Sequence, residues 1–384
     1  MKHIDAYRDG VLVRALASRI SATVQPGRHY AFMEFCGGHT HAISRYGLED
    51  LLPPAIRLIH GPGCPVCVLP IGRLAAAIDL AKTRPVTLCA YGDLMRVPTA
   101  RGYTLLSAKA DGADIRMVYS PLDAVRLAEQ NPQQEIVFFA IGFETTAPAT
   151  AQAMLLAERK KLLNFSVICN HVLTPPAIDT IMTLSHTNPP TSLDGFIGPA
   201  HVATITGLAP FEQVAMRYNK PVVISGFEPL DVLQTILMLV RQVNDCRANI
   251  ENQYLRAVSS SGNLRAQAAV EQAFVLRDLF EWRGLGVVAN SALQLHERYA
   301  HLDAEKRYPI PIPLIEDNPS CACGEILRGT KNPTDCRLFG SACTPETPIG
   351  SCMVSSEGAC AAHWTYGRFR NKAPDQRNAQ EIPS

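Results

Sequence analysis

The sequence lacks an excess of charge of either sign. Its 384 residues include 36 lysines and arginines against 35 aspartates and glutamates, so the formal net charge is +1. A chain this balanced has no global field that would favour nucleic acid or an anionic membrane surface. Composition therefore gives no support to a nucleic-acid-binding protein.

Long apolar runs are also missing. The longest, such as IVFFAIGF, are far shorter than the roughly 20 residues that span a bilayer. The first residues, MKHIDAYRDGVLVRALASRI, carry scattered charges and lack the apolar core of a signal peptide. We therefore expect a cytoplasmic protein, in which cysteines stay reduced and structural disulfides are rare.

Short apolar runs alternate with turns and helical patterns along most of the chain. Because these runs are apolar throughout, they indicate strands covered on both faces, as in a parallel α/β sheet. Two of them, FFAIGFETTAP and VVISGFEPLD, continue into the same Gly-Phe-Glu sequence and then proline, which favours two domains of similar build. We place domain I at 30–130, domain II at 131–245, and a third domain in 1–29 together with 246–384.

Cysteine is abundant, and six of its 12 copies lie between residues 321 and 360. This tail has too little apolar sequence to fold on hydrophobicity alone, and such modules usually need a metal. Cys323, Cys336, Cys343 and Cys360 are separated by 12, 6 and 16 residues, which fits neither a zinc ribbon nor the bacterial ferredoxin motif. The spacing favours a dispersed [4Fe-4S] cluster over zinc. The additional Cys321 and Cys352 leave the choice of ligands open.

Cys36 follows an apolar strand in the segment FMEFCGGHTHAI. In open α/β sheets, ligands bind at the carboxyl ends of strands, and Cys36 and His39 lie at that end of their predicted strand. A thiolate and an imidazole can ligate a transition metal, or they can act as a nucleophile and its base. A third interpretation makes His39 or His41 a cap of the following helix.

The segment HGPGCPVCVLP places Cys64 and Cys67 two residues apart, behind a turn that ends the next strand. If VCVLPIGRLAAAIDLAK continues as one helix, both thiols lie near its N-terminus, where the dipole lowers the thiolate pKa. Such a pair can cycle between dithiol and disulfide. The rival interpretation is half of a zinc site completed by Cys36 and His39. Cys36, Cys64 and Cys67 are thus also candidate metal ligands.

Several polar side chains follow buried strands and are candidates for an inter-domain cleft. They are Glu144, Thr145, Thr146, His201, Glu228 and Asp231. A carboxylate in the cleft can relay protons or hold a partner's loop. The alternative is that these residues only cap helices and make turn hydrogen bonds.

Together, FCGGHTHAI, HGPGCPVCVLP, GFETTAP, GFEPLD and the tail motifs CGE, CRLFGSAC and SSEGAC resemble the HypD family of [NiFe]-hydrogenase maturation proteins. The resemblance runs from about residue 30 to about residue 365. It implies two similar α/β domains with a pseudo-twofold relation, and a third domain that holds a [4Fe-4S] cluster. It also implies a maturation scaffold with redox activity rather than a conventional turnover enzyme.

The resemblance further implies partners and a cargo. HypD proteins form a stable complex with HypC, which holds iron while the metal acquires cyanide and CO. HypE supplies the cyanide as an enzyme-bound thiocyanate, and the hydrogenase large subunit receives the Fe(CN)2CO group.

By this resemblance, Cys36 would be the iron-holding thiolate and would share the ion with a cysteine of HypC. His39 would be a second ligand or a proton donor. Cys64 and Cys67 would deliver two electrons for the release of cyanide. The cluster at the four spaced tail cysteines would then re-reduce their disulfide. Two other classes remain open at this point: an iron–sulfur thiol–disulfide reductase acting on a small substrate, and a structural zinc protein that serves as a docking platform.

Overall fold

The computed structural model describes residues 4–99, 102–185 and 192–367. Its strands are β1 Tyr30–Glu34, β2 Ile56–His60, β3 Val86–Ala90, β4 Ile115–Met117, β5 Glu135–Gly142, β6 Phe165–His171, β7 Gly195–Pro199, β8 Val222–Ser225, β9 Ile250–Asn252, β10 Phe274–Trp282 and β11 Gly286–Leu295. Its α-helices are α1 Gly10–Thr23, α2 Gly37–Tyr46, α3 Pro65–Val68, α4 Ile71–Thr83, α5 Leu105–Ala110, α6 Pro121–Gln130, α7 Ala147–Arg159, α8 Thr174–Ser185, α9 Ala200–Thr206, α10 Ala209–Tyr218, α11 Pro229–Asn244, α12 Leu264–Ala273, α13 Ala304–Arg307, α14 Cys323–Leu327 and α15 Ala359–Gly367.

Two parallel sheets form the body of the protein. The first has the strand order β2-β1-β7-β8-β9 and the second has the order β4-β3-β5-β6. Every residue of β3, β6, β7 and β8 is buried, because helices cover the sheets and exclude water from these strands. The α/β class expected from the apolar runs is therefore confirmed, with a cysteine-rich region near the C-terminus.

The two sheets divide the chain differently from contiguous domains at 30–130 and 131–245. After β1 and β2 the chain leaves the first sheet, builds the whole second sheet, and returns to the first with β7, β8 and β9. Each of those two ranges therefore contributes strands to both sheets. An apolar run identifies a buried strand. Parallel strands are joined by crossover connections, so the run does not show which strands lie next to it in the sheet.

The remaining elements cover the ends of the sheets. β10 and β11 form an antiparallel hairpin whose turn lies between Trp282 and Gly286. The cysteine-rich tail consists of turns and short helices, and α15 packs on α2, where the Tyr366 hydroxyl is 3.0 Å from His41 Nε2. Within the described residues, no helix is both long enough and apolar enough to cross a membrane.

A buried ion pair fixes the start of α11. The Asp231 side chain is fully buried and accepts hydrogen bonds from Arg256 Nη1 at 2.8 Å and from Gln253 Nε2 at 2.9 Å. The Arg256 guanidinium lies 3.8 Å from the ring centroid of Tyr7 and 4.2 Å from that of Tyr254. The pair thus joins the N-terminal segment, α11 and the segment after β9.

Removing the Asp231 carboxylate should be strongly destabilising, because it leaves Arg256 with an unpaired charge. We expect Asp231→Ala to lower the free energy of unfolding by about 3–5 kcal/mol, measured from urea denaturation curves. Glu129 pairs with Lys160 at the surface, where both side chains are more than a third exposed. Glu129→Ala is the control and should change stability little. Equal losses in the two variants would contradict this assignment.

Candidate metal and thiol site

Three parallel strands bring the first candidate residues to one edge of a sheet. β1 pairs with β2 on one side and with β7 on the other, so their carboxyl ends lie together. Cys36 follows β1, the turn that carries Cys64 follows β2, and His201 follows β7 in α9. This is the edge at which α/β sheets bind ligands, as the sequence predicted for Cys36.

The Gly-Pro-Gly turn lies directly against the backbone of Cys36. The Gly37 N–H donates to the Gly63 carbonyl at 3.0 Å. A Cβ atom at Gly63 would stand 2.5 Å from the Cys36 nitrogen, so only glycine permits this approach. The turn residues of the sequence motif thus hold the segment that carries Cys64 and Cys67 beside the Cys36 segment.

Cys36 is a buried thiol with a histidine next to it. Its Sγ is 3.6 Å from His201 Nδ1, and its N–H donates to the buried Glu34 carboxylate at 2.8 Å. Burial raises the pKa of the Cys36 thiol, and the carboxylates of Glu357 and Glu34 raise it further. The unliganded protein therefore keeps this sulfur protonated. A cation bound at the sulfur would favour the thiolate.

His39 is fully buried and has one nitrogen without a partner. Its Nε2 is 2.9 Å from the Ser225 carbonyl and 3.1 Å from the Gly226 carbonyl, so Nε2 must carry the proton. Nδ1 makes no hydrogen bond, and its lone pair is free. Burial lowers the pKa of His39, which keeps the ring neutral. A neutral imidazole whose other nitrogen is fixed by carbonyl acceptors has the form of a metal ligand.

Cys64 and Cys67 do not lie on a long helix. Cys64 caps α3, which ends at Val68, and α4 starts only at Ile71, after Pro70. Proline lacks the N–H that a continuous helix would require there. Burial raises the pKa of Cys67 well above its usual value, and the sulfurs of Cys352 and Cys64 add to the effect. The expected lowering of this thiol's pKa by a helix dipole is therefore wrong, because desolvation dominates.

A contact that the sequence does not predict joins the Cys64–Cys67 dithiol to the cysteine-rich tail. Ser351 Oγ donates to the Cys67 carbonyl at 3.0 Å, and Cys67 Sγ is 3.9 Å from the Ser351 carbonyl oxygen. The next residue, Cys352, has its Sγ 2.6 Å from Cys323 Sγ. Hydrogen bonds from Cys323 and Cys67 lower the pKa of Cys352, which thus takes the negative charge most readily among the three thiols. Cys352 therefore stands between Cys67 and Cys323.

All six tail cysteines line one apolar cavity. They line it together with Ile326, Phe339, Gly350 and Met353. The cavity residues are Cys321, Cys323, Cys336, Cys343, Cys352 and Cys360. Thiols around an apolar cavity are a donor set suited to an iron–sulfur cluster. In the described ranges, no three His, Cys, Asp or Glu side chains converge as the ligands of a single ion would.

Glu357 is a site residue that the sequence reasoning missed. Its side chain packs against Gly37 at the start of α2, and its carboxylate acts electrostatically on Cys36. Desolvation raises the pKa of Glu357, and the carboxylates of Asp93 and Glu34 contribute. The only signal was its position in SSEGAC, three residues before Cys360.

The other polar candidates mainly hold the fold together. Glu144 is buried, accepts from the N–H and hydroxyl of Thr174 at 2.8 and 3.0 Å, and has its pKa raised to about 7 by burial. Thr146 donates to the Phe143 carbonyl at 3.2 Å. Glu228 pairs with Arg8 at 2.9 Å. With Asp231 bound to Arg256, these contacts favour the capping and turn interpretation over a shared cleft.

Comparison with known proteins supplies a family. The family model described as "HypD: Hydrogenase formation hypA family" matches residues 11–367. The chain is 62% identical over 374 residues to the hydrogenase maturation factor HypD of Rhizobium leguminosarum bv. viciae, covering 97% of each chain. It is 56% identical over 373 residues to that of Cupriavidus necator, covering 97% of this chain and 98% of the relative.

A more distant relative covers the same extent. The HypD of Escherichia coli (strain K12) is 43% identical over 380 residues, covering 97% of this chain and all of its own. A match to the family model over nearly the whole chain, with relatives at this identity, settles the family. This chain belongs to the HypD family of hydrogenase maturation factors.

Proposed function

We propose that this protein is a redox scaffold that works with HypC in the cytoplasm to assemble the Fe(CN)2CO group of [NiFe] hydrogenase. Iron is its cargo, HypE is the cyanide donor, and the hydrogenase large subunit is the recipient. The observation that carries the proposal is the row of sulfurs from Cys67 through Cys352 to Cys323. The row ends at the cavity of cysteines, and it begins in the segment whose turn lies against Cys36.

Iron would bind to the Cys36 thiolate, and a cysteine of HypC would be a second thiolate ligand of the same ion. The open edge of the first sheet leaves room for such a partner, since His201 and Glu357 are both exposed there. His39 Nε2 is committed to two backbone carbonyls and its free Nδ1 carries no proton. This favours His39 as a ligand or hydrogen-bond acceptor over His39 as a proton donor.

Cyanide release from a thiocyanate needs two electrons, because the carbon–sulfur bond breaks to leave cyanide and a thiolate on the donor. The Cys64 and Cys67 thiols can supply both electrons by losing two protons and forming a disulfide. Attack of Cys352 on Cys67 would then give a mixed disulfide, which Cys323 resolves. The net result is a reduced Cys64–Cys67 pair and an oxidised Cys323–Cys352 pair.

This use of Cys323 changes the expected cluster ligands. Cys323 and Cys352 line the cavity, but their sulfurs pair with each other at 2.6 Å, so we assign the [4Fe-4S] cluster to the other four cysteines, Cys321, Cys336, Cys343 and Cys360. The Cys360 sulfur lies within electrostatic range of Cys323 and of the three other proposed ligands, Cys321, Cys343 and Cys336. When bound, the cluster would supply single electrons to the neighbouring disulfide.

The ligand assignment can be tested on full-length protein purified anaerobically. We expect about four iron and four sulfide per chain, with a broad absorption band near ~400 nm. Cys321→Ser should lose most of the iron and sulfide, whereas the matched variant Cys323→Ser should retain both. Loss in Cys323→Ser with retention in Cys321→Ser would restore Cys323 as a ligand. Zinc without sulfide in the wild-type protein would refute the cluster.

The dithiol role predicts a block at a defined step. Cys64→Ser and Cys67→Ser should each abolish the infrared bands of iron-bound cyanide in the complex with HypC, because neither variant can form the disulfide. Their iron–sulfur content should be unchanged. The exposed Cys246 is the control position, and Cys246→Ser should assemble normally. Normal cyanide bands in either dithiol variant would contradict the proposed function.

A further inference from the structure

Arg283 sits at the tip of the β10–β11 hairpin, between the two thiol pairs. Its N–H donates to the carbonyl of Val68, the residue after Cys67, at 2.8 Å. The next residue, Gly284, packs on Gly324, the residue after Cys323, so closely that a Cβ at Gly284 would stand 2.9 Å from the Gly324 Cα. The hairpin tip is thus wedged between α3 and α14.

The guanidinium of Arg283 is buried at this position. Its side chain is only 4% exposed, and Nε donates to Asp317 Oδ1 at 2.6 Å. Its Nη1 is buried and makes no hydrogen bond. Cys323, Asp317 and Cys352 act on it most strongly, and it also interacts with Cys321. Burying a guanidinium with an unpaired N–H costs free energy, so the position of Arg283 beside these sulfurs needs an explanation.

The charges of this ion pair are unequally screened. Asp317 belongs to the extended segment before the tail, and its side chain is 30% exposed against 4% for Arg283. Water therefore weakens the field of the carboxylate more than that of the guanidinium. The Cys323 sulfur accordingly experiences a net positive potential, and Arg283 favours its thiolate form.

We propose that Arg283 is a positioning residue that sets the reduction potential of the Cys323–Cys352 pair, and that Asp317 moderates its effect. This inference rests on the proposed redox function and deepens it. Two electrons entering the Cys323–Cys352 disulfide break the S–S bond and leave two sulfur anions, which take up protons from solvent. Negative charge appears on the sulfurs as electrons arrive, and the guanidinium stabilises that charge.

The electrostatic account predicts opposite effects from the two members of one ion pair. Without the cation, the reduced state loses stabilisation, so Arg283→Gln should lower the reduction potential of the pair. Without the carboxylate, the cation acts unopposed, so Asp317→Asn should raise it. Loss of the ion pair as a purely structural contact would shift both variants in the same direction. Arg283→Lys keeps the charge and serves as the matched control.

The potential can be measured on the full-length protein. Each variant is equilibrated anaerobically in buffers of reduced and oxidised dithiothreitol, which exchanges two electrons with the pair by becoming a cyclic disulfide. Free thiols are then trapped with an alkylating label, and peptides containing Cys323 and Cys352 are quantified by mass spectrometry. We expect a shift of about tenfold in the exchange constant for Arg283→Gln, or about 30 mV, and a smaller shift of opposite sign for Asp317→Asn.

The outcomes separate this inference from the proposed function. Opposite shifts, with Arg283→Lys close to wild type, support the role of Arg283. Shifts of the same sign, or no shift with a measurable potential in every variant, overturn it and leave the redox function standing. A pair that never forms a disulfide in any buffer overturns both.

Discussion

The docking of Ser351 and Cys352 on α3 is the contact on which the arrangement of this protein depends. The parallel strands β1, β2 and β7 assemble Cys36 and the dithiol segment at one sheet edge, but they do not reach the tail cysteines. The hydrogen bond from Ser351 to the Cys67 carbonyl makes that connection and places Cys352 beside both Cys67 and Cys323. Other contacts also join the tail to this edge, but this one brings a tail sulfur to the dithiol.

Burial gives these sulfurs a common chemical character. Desolvation raises the pKa of Cys36 and Cys67, so these thiols are held neutral until a cation, a disulfide or a neighbouring sulfur changes their state. Cys352 is the exception, because two thiols donate hydrogen bonds to it. A sulfur whose pKa is lowered, placed between two thiols whose pKa values are raised, suits thiol–disulfide exchange along the row.

Sequence patterns predicted the class of fold and the contents of the site, and they failed where pairing over long distances decides the result. Continuous apolar runs identified the buried strands, and the position of Cys36 after β1 indicated the ligand-binding edge. The return of the chain to the first sheet with β7 left no local signal, and neither did the pairing of Cys323 with Cys352, which lie 29 residues apart. Cysteine spacing gives the possible ligands but does not tell which sulfurs pair with each other in the fold. Pro70, by contrast, is visible in the sequence and separates α3 from α4, so the single helix considered for 66–82 does not form.

The central claim is that electrons pass between the two thiol pairs through Cys67 and Cys352. The most direct measurement uses the full-length double variant Cys64→Ser, Cys323→Ser, which leaves one thiol of each pair without its usual partner. Mild oxidation with oxidised dithiothreitol should trap a Cys67–Cys352 disulfide, detected as a cross-linked peptide by mass spectrometry. Recovery of both cysteines as free, alkylated thiols under conditions that oxidise the wild-type pairs would contradict the account.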